Sequence, residues 1–391
     1  MTRDFAYSVN EKLVGAIGGV SATLHEPEFL GNEWTYLKEC LASTFVSSVG
    51  KFVDRFEGEI ASFTGAKHAI AVVNGTAALH ISLLLADVLP GDEVLISPLT
   101  FVGTANPISY CGGVPHFVDI EEGSLGIDPI KLRNYLDDIT TQKNGICINS
   151  VTGKAIKALV PMHVFGHPSM LEELIKVAED FNLALIEDSA ESLGSYYKNQ
   201  HTGTFGMLGI LSFNGNKTIT TGGGGAILTN DENLARKAKH LTTTAKIAHP
   251  WDFVHDEVGY NYRLPNLNAA LGCAQLEQLS LKLEEKRMLF ELYDKVFKDF
   301  KGARIMAEPL ECKSNYWLQT LILDTSYADA RDDVLEITNK SGLLTRPAWT
   351  LLSKLKPFQG GPKMNLDMAE LMARRLVNIP SSPKLARSRN G

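Results

Sequence analysis

A lysine beside a glycine-rich stretch is the first residue whose type and setting could do chemistry. Lys217 follows the polar turn at residues 212–216, and the unbroken run Gly222 to Gly225 comes five residues later. Backbone crowding would remove its amine partly from water, and the amine would then act as a nucleophile toward carbonyl groups. A phosphate-binding P-loop is excluded because no Gly-Lys-Ser or Gly-Lys-Thr triplet occurs. The local sequence leaves an exposed loop lysine as the alternative.

Two further polar features lie where predicted strands end. Gly75 and Thr76 open a predicted helix after the strand at residues 68–73, and free N–H groups with the threonine hydroxyl can hold a phosphate there. Asp188 follows an apolar predicted strand, a position where an acidic side chain often binds a cation. Each has a structural alternative, a common strand–glycine–helix turn for the first and an N-cap for the second. Phe101 lies at a third strand end and, taken alone, is best interpreted as a core residue.

Short β-branched segments alternate with helical ones from about residue 68, and these elements must position the polar residues. The alternation predicts an α/β fold with a mostly parallel sheet and helices on both faces. In such sheets ligands bind beyond the carboxyl ends of the strands. After Pro265, a charged amphipathic helical stretch over residues 266–300 predicts a link to a second domain. We expect an N-terminal segment (residues 1–30), a large domain (31–274) and a smaller α+β C-terminal domain (275–391).

Composition excludes several classes of protein. The 391 residues are 44% hydrophobic, which is too apolar for a disordered chain. A formal net charge of −7 argues against a general nucleic-acid or membrane binder, which would present a basic face. We expect no signal peptide and no membrane span. Five scattered cysteines without a Cys-x-x-Cys pair predict free thiols in a reducing cytoplasm, and the basic tail at residues 381–391 is expected to be disordered.

An ordered series of short motifs extends along most of the chain. In chain order they are Gly31-Asn32-Glu33, Phe56-Glu57, Gly75-Thr76-Ala77-Ala78-Leu79, Pro90-Gly91-Asp92-Glu93-Val94, Thr100-Phe101-Val102, Pro115 to Asp119, His163-Val164-Phe165-Gly166, Glu187-Asp188-Ser189-Ala190, Ser212-Phe213 with Lys217, and Gly259-Tyr260-Asn261-Tyr262-Arg263-Leu264. This series resembles the DegT family of sugar-nucleotide aminotransferases. The resemblance implies the fold type I architecture and the cofactor pyridoxal 5'-phosphate.

The resemblance also implies roles for the residues around the cofactor ring. Lys217 would bond to the aldehyde carbon of the cofactor and later move a proton between the cofactor carbon and the substrate carbon. Asp188 would pair with the protonated pyridine nitrogen and keep the ring an electron sink. Phe101 would stack on one ring face, and the small Ala190 would lie beneath the other.

The phosphate contacts implied by the resemblance come from two subunits. The backbone N–H groups of Gly75 and Thr76, with the Ser212 hydroxyl, would hold the phosphate. Because the family's active site lies between the subunits of a homodimer, Asn261 and Arg263 of the neighbouring copy would reach the phosphate or the substrate. The alternative for this last pair is that it stabilises its own loop.

Two positions depart from the family pattern. Glu191 stands where many relatives have glutamine, near the phenolic oxygen of the cofactor. A carboxylate there would repel the phenolate unless it were protonated or paired with a cation. Many relatives also have glutamate inside the glycine run, where this chain has Gly223 or Gly224, so one polar contact is lost.

The predicted reaction is a transamination in two halves, with glutamate as the amino donor implied by resemblance. The acceptor would be a keto-sugar nucleotide. The chain most resembles the branch of the family that aminates C4 of UDP-2-acetamido-4-keto-2,4,6-trideoxyhexose, on a route to bacillosamine or legionaminic-type sugars. Substrate-side segments of the family resemble two segments here, which contain Tyr316, Trp317, Arg346 and Trp349. An aromatic ring and an arginine would suit a nucleobase and a pyrophosphate. Small-domain core is the alternative for both tryptophans.

Three other functions are compatible with this fold. An ordinary α-amino-acid aminotransferase needs an arginine for the α-carboxylate, and Arg346 could be that group. A sugar dehydratase that uses the pyridoxamine form replaces the reactive lysine, which is present here as Lys217. A non-catalytic regulator has no need to keep Lys217, Asp188 and Ser212 together.

Overall fold

The protein alternates helices and strands, and the computed structural model describes residues 2–387. The helices are α1 (Thr2–Ala16), α2 (Glu33–Ser43), α3 (Lys51–Thr64), α4 (Gly75–Leu85), α5 (Val102–Tyr110), α6 (Pro129–Ile139), α7 (Leu171–Asp180), α8 (Glu232–Thr242), α9 (Asn266–Glu277), α10 (Leu279–Phe297), α11 (Arg331–Lys340), α12 (Asp367–Ala373) and α13 (Lys384–Arg387). The strands are β1 (His68–Val72), β2 (Glu93–Ile96), β3 (Val114–Phe117), β4 (Thr140–Lys143), β5 (Ile146–Asn149), β6 (Ile156–Val160), β7 (Ala184–Asp188), β8 (Tyr196–Tyr197), β9 (Gln200–His201), β10 (Leu208–Ser212), β11 (Gly225–Thr229), β12 (Ala303–Ile305), β13 (Cys312–Lys313), β14 (Gln319–Leu323), β15 (Arg346–Pro347) and β16 (Leu376–Ile379). Short 3-10 turns lie at Val164–Gly166, Thr325–Ala330, Leu352–Lys354 and Lys356–Phe358.

The central sheet has seven strands in the order β1-β11-β10-β7-β6-β2-β3. The five strands from β10 to β3 run parallel to one another, as the alternation of strands and helices predicts. Apolar residues of these strands and of α4 and α5 form one buried cluster. The α/β fold with a mainly parallel sheet is therefore confirmed, and its carboxyl ends face one common edge.

Strand β11 was not predicted, because it begins inside the glycine run. It is antiparallel to both β1 and β10 and pairs Gly225 with Ser212. A Cβ atom on Gly225 would lie 2.5 Å from the carbonyl carbon of Asn74 and 2.7 Å from the nitrogen of Gly75. The absence of a side chain at Gly225 thus lets β11 pass directly behind the turn that starts α4.

The C-terminal part has its own antiparallel sheet, in the order β12-β14-β16-β15. The helical stretch predicted over residues 266–300 is two helices rather than one. They are separated at Gln278, whose φ of −98° and ψ of −4° lie outside ideal helical geometry. Strand β14 lies inside the sheet of the C-terminal part, between β12 and β16.

Helix α1 packs away from the central sheet, against the C-terminal part. Phe5, Val9 and Leu13 are buried in one cluster with residues of α10, α11 and β14. We therefore propose to group α1 with the small domain and to set the boundary between the domains at Gln278.

The C-terminal tail is partly ordered, contrary to expectation. Ser381 is fully buried, and α13 follows within the same segment. Arg387 forms ion pairs with Glu28 at 2.5 Å and with Glu285 at 2.8 Å. The expectation of disorder is thus wrong for residues 381–387, whereas its remainder, residues 388–391, lies outside the described residues. Among residues 2–387, every helix is too short or too polar to cross a membrane.

Candidate active site

A cavity of about 370 Å³ lies at the carboxyl edge of the parallel strands. Asp188 ends β7, Ser212 ends β10, and Gly75 begins α4 at the same place. The predicted site residues that line it are Gly75, Thr76, Phe101, Asp188, Ala190, Glu191, Ser212, Lys217, Trp317 and Trp349. Residues distant in sequence thus meet there because parallel strands end at one edge.

The amino group of Lys217 lies inside this cavity. Its side chain is only 13% exposed, so the alternative of an exposed loop lysine is wrong. Nζ lies 3.2 Å from Glu191 Oε1 and 3.9 Å from the centroid of the Trp317 ring. The Trp317 indole is itself fixed, since its Nε1 donates to the carbonyl oxygen of Asn216 at 2.7 Å.

Asp188 is a buried carboxylate whose partners are neutral groups. Its Oδ2 accepts a hydrogen bond from Thr104 Oγ1 at 2.7 Å, and its Oδ1 accepts one from the Ala190 N–H at 3.2 Å. Burial raises the pKa of Asp188, and the two hydrogen bonds and the Lys217 charge offset this only in part. A cationic group placed against this carboxylate would relieve the cost of burying its charge.

Glu191, which departs from the family pattern, contacts the Lys217 amine. Oε1 accepts from the Lys217 amine, and Oε2 accepts from the Phe165 N–H at 2.9 Å. Burial raises the pKa of Glu191 to about 7, although the nearby Lys217 charge acts in the opposite direction. The position of Glu191 in the cavity agrees with the sequence prediction, and Lys217 is the partner that the sequence left unnamed.

The start of α4 is built to hold an anion. The Asn74 side chain caps the helix by accepting the Ala77 N–H at 2.7 Å. The first N–H groups of a helix have no partner within it, so those of Gly75 and Thr76 are available to a ligand. A Cβ atom on Gly75 would come within 3.1 Å of the Ser212 Cβ and would narrow the space between them.

Phe101 stands at the edge of the cavity rather than in the core. Its side chain is 54% exposed, so its interpretation as a core residue is wrong. Gly103 leaves room beside the ring, because a Cβ atom there would lie 3.0 Å from Phe101 Cδ1 and 3.2 Å from Thr76 Oγ1. An open ring face at the edge of the cavity suits stacking on a planar ligand.

Four predicted site residues do not line the cavity. Tyr316 is 1% exposed and stacks on Phe290 at 4.3 Å between ring centroids, so its side chain does not reach the cavity. Arg346 lies exposed on the edge strand β15, where its Nη1 donates only a long bond to its neighbour's carbonyl. Arg263 donates to Asn261 Oδ1 of its own chain at 2.9 Å, and neither side chain reaches this chain's cavity.

Two residues that support the site were missed. Thr104 lies three residues after Phe101 on α5, and helical spacing alone could have suggested that it faces the same cavity. Asn315 joins separate segments: its Nδ2 donates to the Glu191 and Leu193 carbonyls, each at 2.9 Å, and its Oδ1 accepts the Trp317 N–H at 2.8 Å. Its segment was noticed, but nothing in the sequence indicated these partners.

The residues present fit pyridoxal phosphate. An anion-binding helix start, a buried carboxylate without a contacting cation, an amine and an open aromatic face surround one cavity. They match the phosphate, the pyridine nitrogen, the aldehyde and the ring of that cofactor. Fold and site thus define the class as that of the pyridoxal phosphate-dependent aminotransferases.

Comparison with known proteins identifies the family. The DegT/DnrJ/EryC1/StrS aminotransferase family model matches residues 29–390, and the chain belongs to this family of pyridoxal phosphate-dependent sugar aminotransferases. The chain is 37% identical to EpsN of Bacillus subtilis over 83% of this chain and 81% of EpsN. It is 34% identical to GDP-perosamine synthase of Escherichia coli O157:H7 over 93% of this chain and 94% of that protein. Helicobacter pylori PseC, an aminotransferase of pseudoaminic acid biosynthesis, has a similar solved structure, with a TM-score of 0.84 at 25% identity over 94% of this chain and 98% of PseC.

Proposed function

We propose that this protein transfers the amino group of glutamate to C4 of UDP-2-acetamido-4-keto-2,4,6-trideoxyhexose. The observation that carries the transamination is the single cavity in which the Lys217 amine and the buried Asp188 carboxylate meet. Trp317 and Trp349 both line the same cavity, and the partly exposed Trp349 offers a flat surface to a sugar nucleotide. The choice of a UDP-linked acetamido sugar as substrate is supported by the segments that contain these tryptophans, because they resemble substrate-side segments of the family.

Each side chain has a defined task in this proposal. Bound pyridoxal phosphate supplies a carbonyl carbon for amine exchange and a ring that withdraws electrons from the substrate carbon. Asp188 would pair with the protonated pyridine nitrogen, and the Thr104 hydroxyl keeps that carboxylate oriented. Lys217 Nζ would move a proton between the cofactor carbon and the substrate carbon, since its amine lies inside the cavity.

A GDP-linked keto sugar is the second candidate substrate. GDP-perosamine synthases of Escherichia coli and Vibrio cholerae match 93% of this chain at 34% and 33% identity. The cavity itself does not favour one base, because tryptophan faces stack on uracil and guanine alike.

A two-stage assay separates these substrates. Adding glutamate to the purified protein is expected to bleach its visible absorbance, because the amine is then stored on the cofactor. The bleached protein is next mixed with UDP-linked and GDP-linked 4-keto sugars, and we expect the visible band to return with the UDP-linked acetamido sugar. Return of the visible band with the GDP-linked sugar alone would identify that sugar as the substrate. Return with 2-oxoglutarate but with no sugar would contradict sugar amination.

The three alternatives have less support. Arg346 lies outside the cavity, so it is not placed to bind the α-carboxylate of an amino acid there. Lys217 argues against a dehydratase, and the shared cavity of Lys217, Asp188 and Ser212 argues against a protein that only regulates. A cytoplasmic location belongs to the proposal and is supported by the cysteines Cys40, Cys111, Cys147, Cys273 and Cys312, all of which are free.

We also propose that the enzyme is a homodimer with an active site shared between subunits. Phe101 is more than half exposed in the single chain, although it would have to cover a cofactor ring. Asn261 and Arg263 pair at the surface away from this chain's cavity, where a second copy could receive them. Trp34 and Trp251 are 81% and 75% exposed, which provides apolar surface for a contact between copies.

Hybrid dimers test the shared site. A chain with Lys217→Ala and a chain with Arg263→Ala are co-expressed with different tags, and the heterodimer is purified. It has one native site, so we expect about half of the wild-type activity per dimer from two poorly active parents. The matched control pairs Lys217→Ala with Asp188→Asn, which would leave both sites damaged and restore nothing. A first heterodimer no more active than its parents would place the complete site within one chain.

A further inference from the structure

The Lys217 amino group lies between two side chains. Glu191 Oε1 is 3.2 Å from Nζ, and the ring centroid of Trp317 is 3.9 Å away. A carboxylate and the face of an indole ring both attract an ammonium group. Both are nearly inaccessible to solvent, with Glu191 2% exposed and Trp317 4% exposed. The amine is therefore enclosed by a charged wall and an aromatic wall.

Asn315 fixes the distance between these walls. Its Nδ2 donates to the Glu191 carbonyl at 2.9 Å, and its Oδ1 accepts the Trp317 N–H at 2.8 Å. Each wall also has a contact of its own: Glu191 with the Phe165 N–H, and the Trp317 indole with the Asn216 carbonyl. One amide side chain thus ties a strand-end turn of the large domain to a turn of the small domain.

A buried lysine holds the aromatic wall from behind. Lys286, fully buried in α10, donates to the carbonyls of Tyr316 at 3.2 Å, Trp317 at 2.9 Å and Ser381 at 2.9 Å. Tyr316 has a φ of +48°, a left-handed conformation that needs such support in a residue with a side chain. The position of the Trp317 ring is therefore set by the small domain and not by the cavity alone.

We propose that Glu191 and Trp317 hold the Lys217 amino group in place whenever it is not bonded to the cofactor, and that Asn315 is the positioning residue that aligns them. In transamination the lysine must be released and later find the same carbon again. A free lysine side chain has several rotamers, so confinement of its end between two walls preserves the reactive geometry. The proposal rests on the proposed function only in taking Lys217 as the reactive lysine.

The surrounding charges make this arrangement sensitive to pH. Burial raises the pKa of Glu191 to about 7 and also raises the pKa of Asp188, which faces Lys217 from the end of β7. His25 approaches from the N-terminal segment; its pKa is lowered well below the usual value by burial and by Lys286, then by other lysines that include Lys217. The attraction to Glu191 is thus strongest above pH 7, where the carboxylate is charged.

Labelling of Lys217 without cofactor tests the proposal directly. The full-length protein is freed of bound carbonyl compounds, treated with acetic anhydride across a pH series, and analysed by peptide mass spectrometry with the exposed Lys12 as reference. In Glu191→Gln the labelling of Lys217 relative to Lys12 should increase at least about threefold above pH 7, where the wild-type carboxylate is charged, and should change less below pH 7. Trp317→Leu should increase the labelling of Lys217 by a smaller factor, since an indole attracts a cation more weakly than a carboxylate does.

Conservative and surface variants complete the test. Trp317→Phe keeps an aromatic face and should restore the wild-type profile, and Glu284→Gln, on an exposed part of α10, should not change it. A Glu191→Gln profile equal to that of wild type, or labelling that increases equally at every pH, would overturn the proposal. Equal labelling profiles for Trp317→Leu and Trp317→Phe would show that the aromatic face of Trp317 does not hold the amine, which would overturn that part of the proposal. Because no cofactor or sugar takes part, the labelling experiment tests this proposal independently of the proposed transamination.

Discussion

Replacing Lys217 with alanine is expected to reduce amino transfer by at least about 10⁴-fold, since covalent attachment and proton transfer are lost together. The structure supports both losses, because the Lys217 amine lies in the cavity opposite Asp188. Borohydride reduction followed by peptide mass spectrometry should find the cofactor bonded to the Lys217 peptide in wild type and to no peptide in the variant. Activity is measured in parallel with the keto-sugar nucleotide that the substrate assay selects.

The controls for this prediction come from the same chain. Lys340→Ala changes a lysine that is 70% exposed, and it should leave both the attachment and the rate unchanged. Equilibrium dialysis should still detect weaker cofactor binding to Lys217→Ala, because the start of α4 and Ser212 remain. A borohydride-stable cofactor on another lysine of the variant, or near-normal turnover, would contradict the assignment of Lys217.

Asp188→Asn is expected to have the second largest effect, a loss of about 10²–10³-fold in turnover, the range seen when one preorganised electrostatic group is removed from an active site. The amide keeps the size of the carboxylate but cannot supply a negative charge to a protonated ring nitrogen. The expected signature is a slow enzyme that still bonds the cofactor through Lys217. Absorbance spectra and single-turnover rates with glutamate measure the two properties separately.

Thr104→Val provides a graded comparison for Asp188. It removes the 2.7 Å hydrogen bond to Oδ2 and leaves the charge, so we expect a loss of less than about 10-fold, in line with a single hydrogen bond. Equal losses in Asp188→Asn and Thr104→Val would indicate that orientation, and not charge, is what Asp188 contributes. Full activity in Asp188→Asn would refute its proposed role.

Sequence alone could predict that several of the candidate residues lie at one edge of the sheet, and the reason is topological. Gly75, Asp188 and the polar turn that begins at Ser212 were each recognised beside strand ends, and the carboxyl ends of parallel strands necessarily share one edge. Lys217 could be added because a lysine near so much glycine is unusual. The prediction that these residues share one cavity required no knowledge of side-chain packing.

The exposure of other residues depends on side-chain packing. Tyr316 belongs to a polar–aromatic segment that suits either a ligand contact or the interior, and only its stacking on Phe290 distinguishes them. Phe101, taken alone, was interpreted as core from its type, yet its side chain is exposed because it stands at the edge of the cavity. Strand β11 was missed because glycines hide the alternation that marks a strand, although Gly225 is required there by the backbone of Asn74.

The sequence by itself determined the class of fold, the family resemblance and the candidate residues for the chemistry, because these follow from local patterns and their order along the chain. Only the tertiary structure decided how those residues are held. Glu191 was an unexplained departure in the sequence, whereas the fold pairs it with Lys217 and turns Trp317 toward the same amine. Such contacts join segments more than 20 residues apart, and their existence depends on close packing that no local pattern encodes.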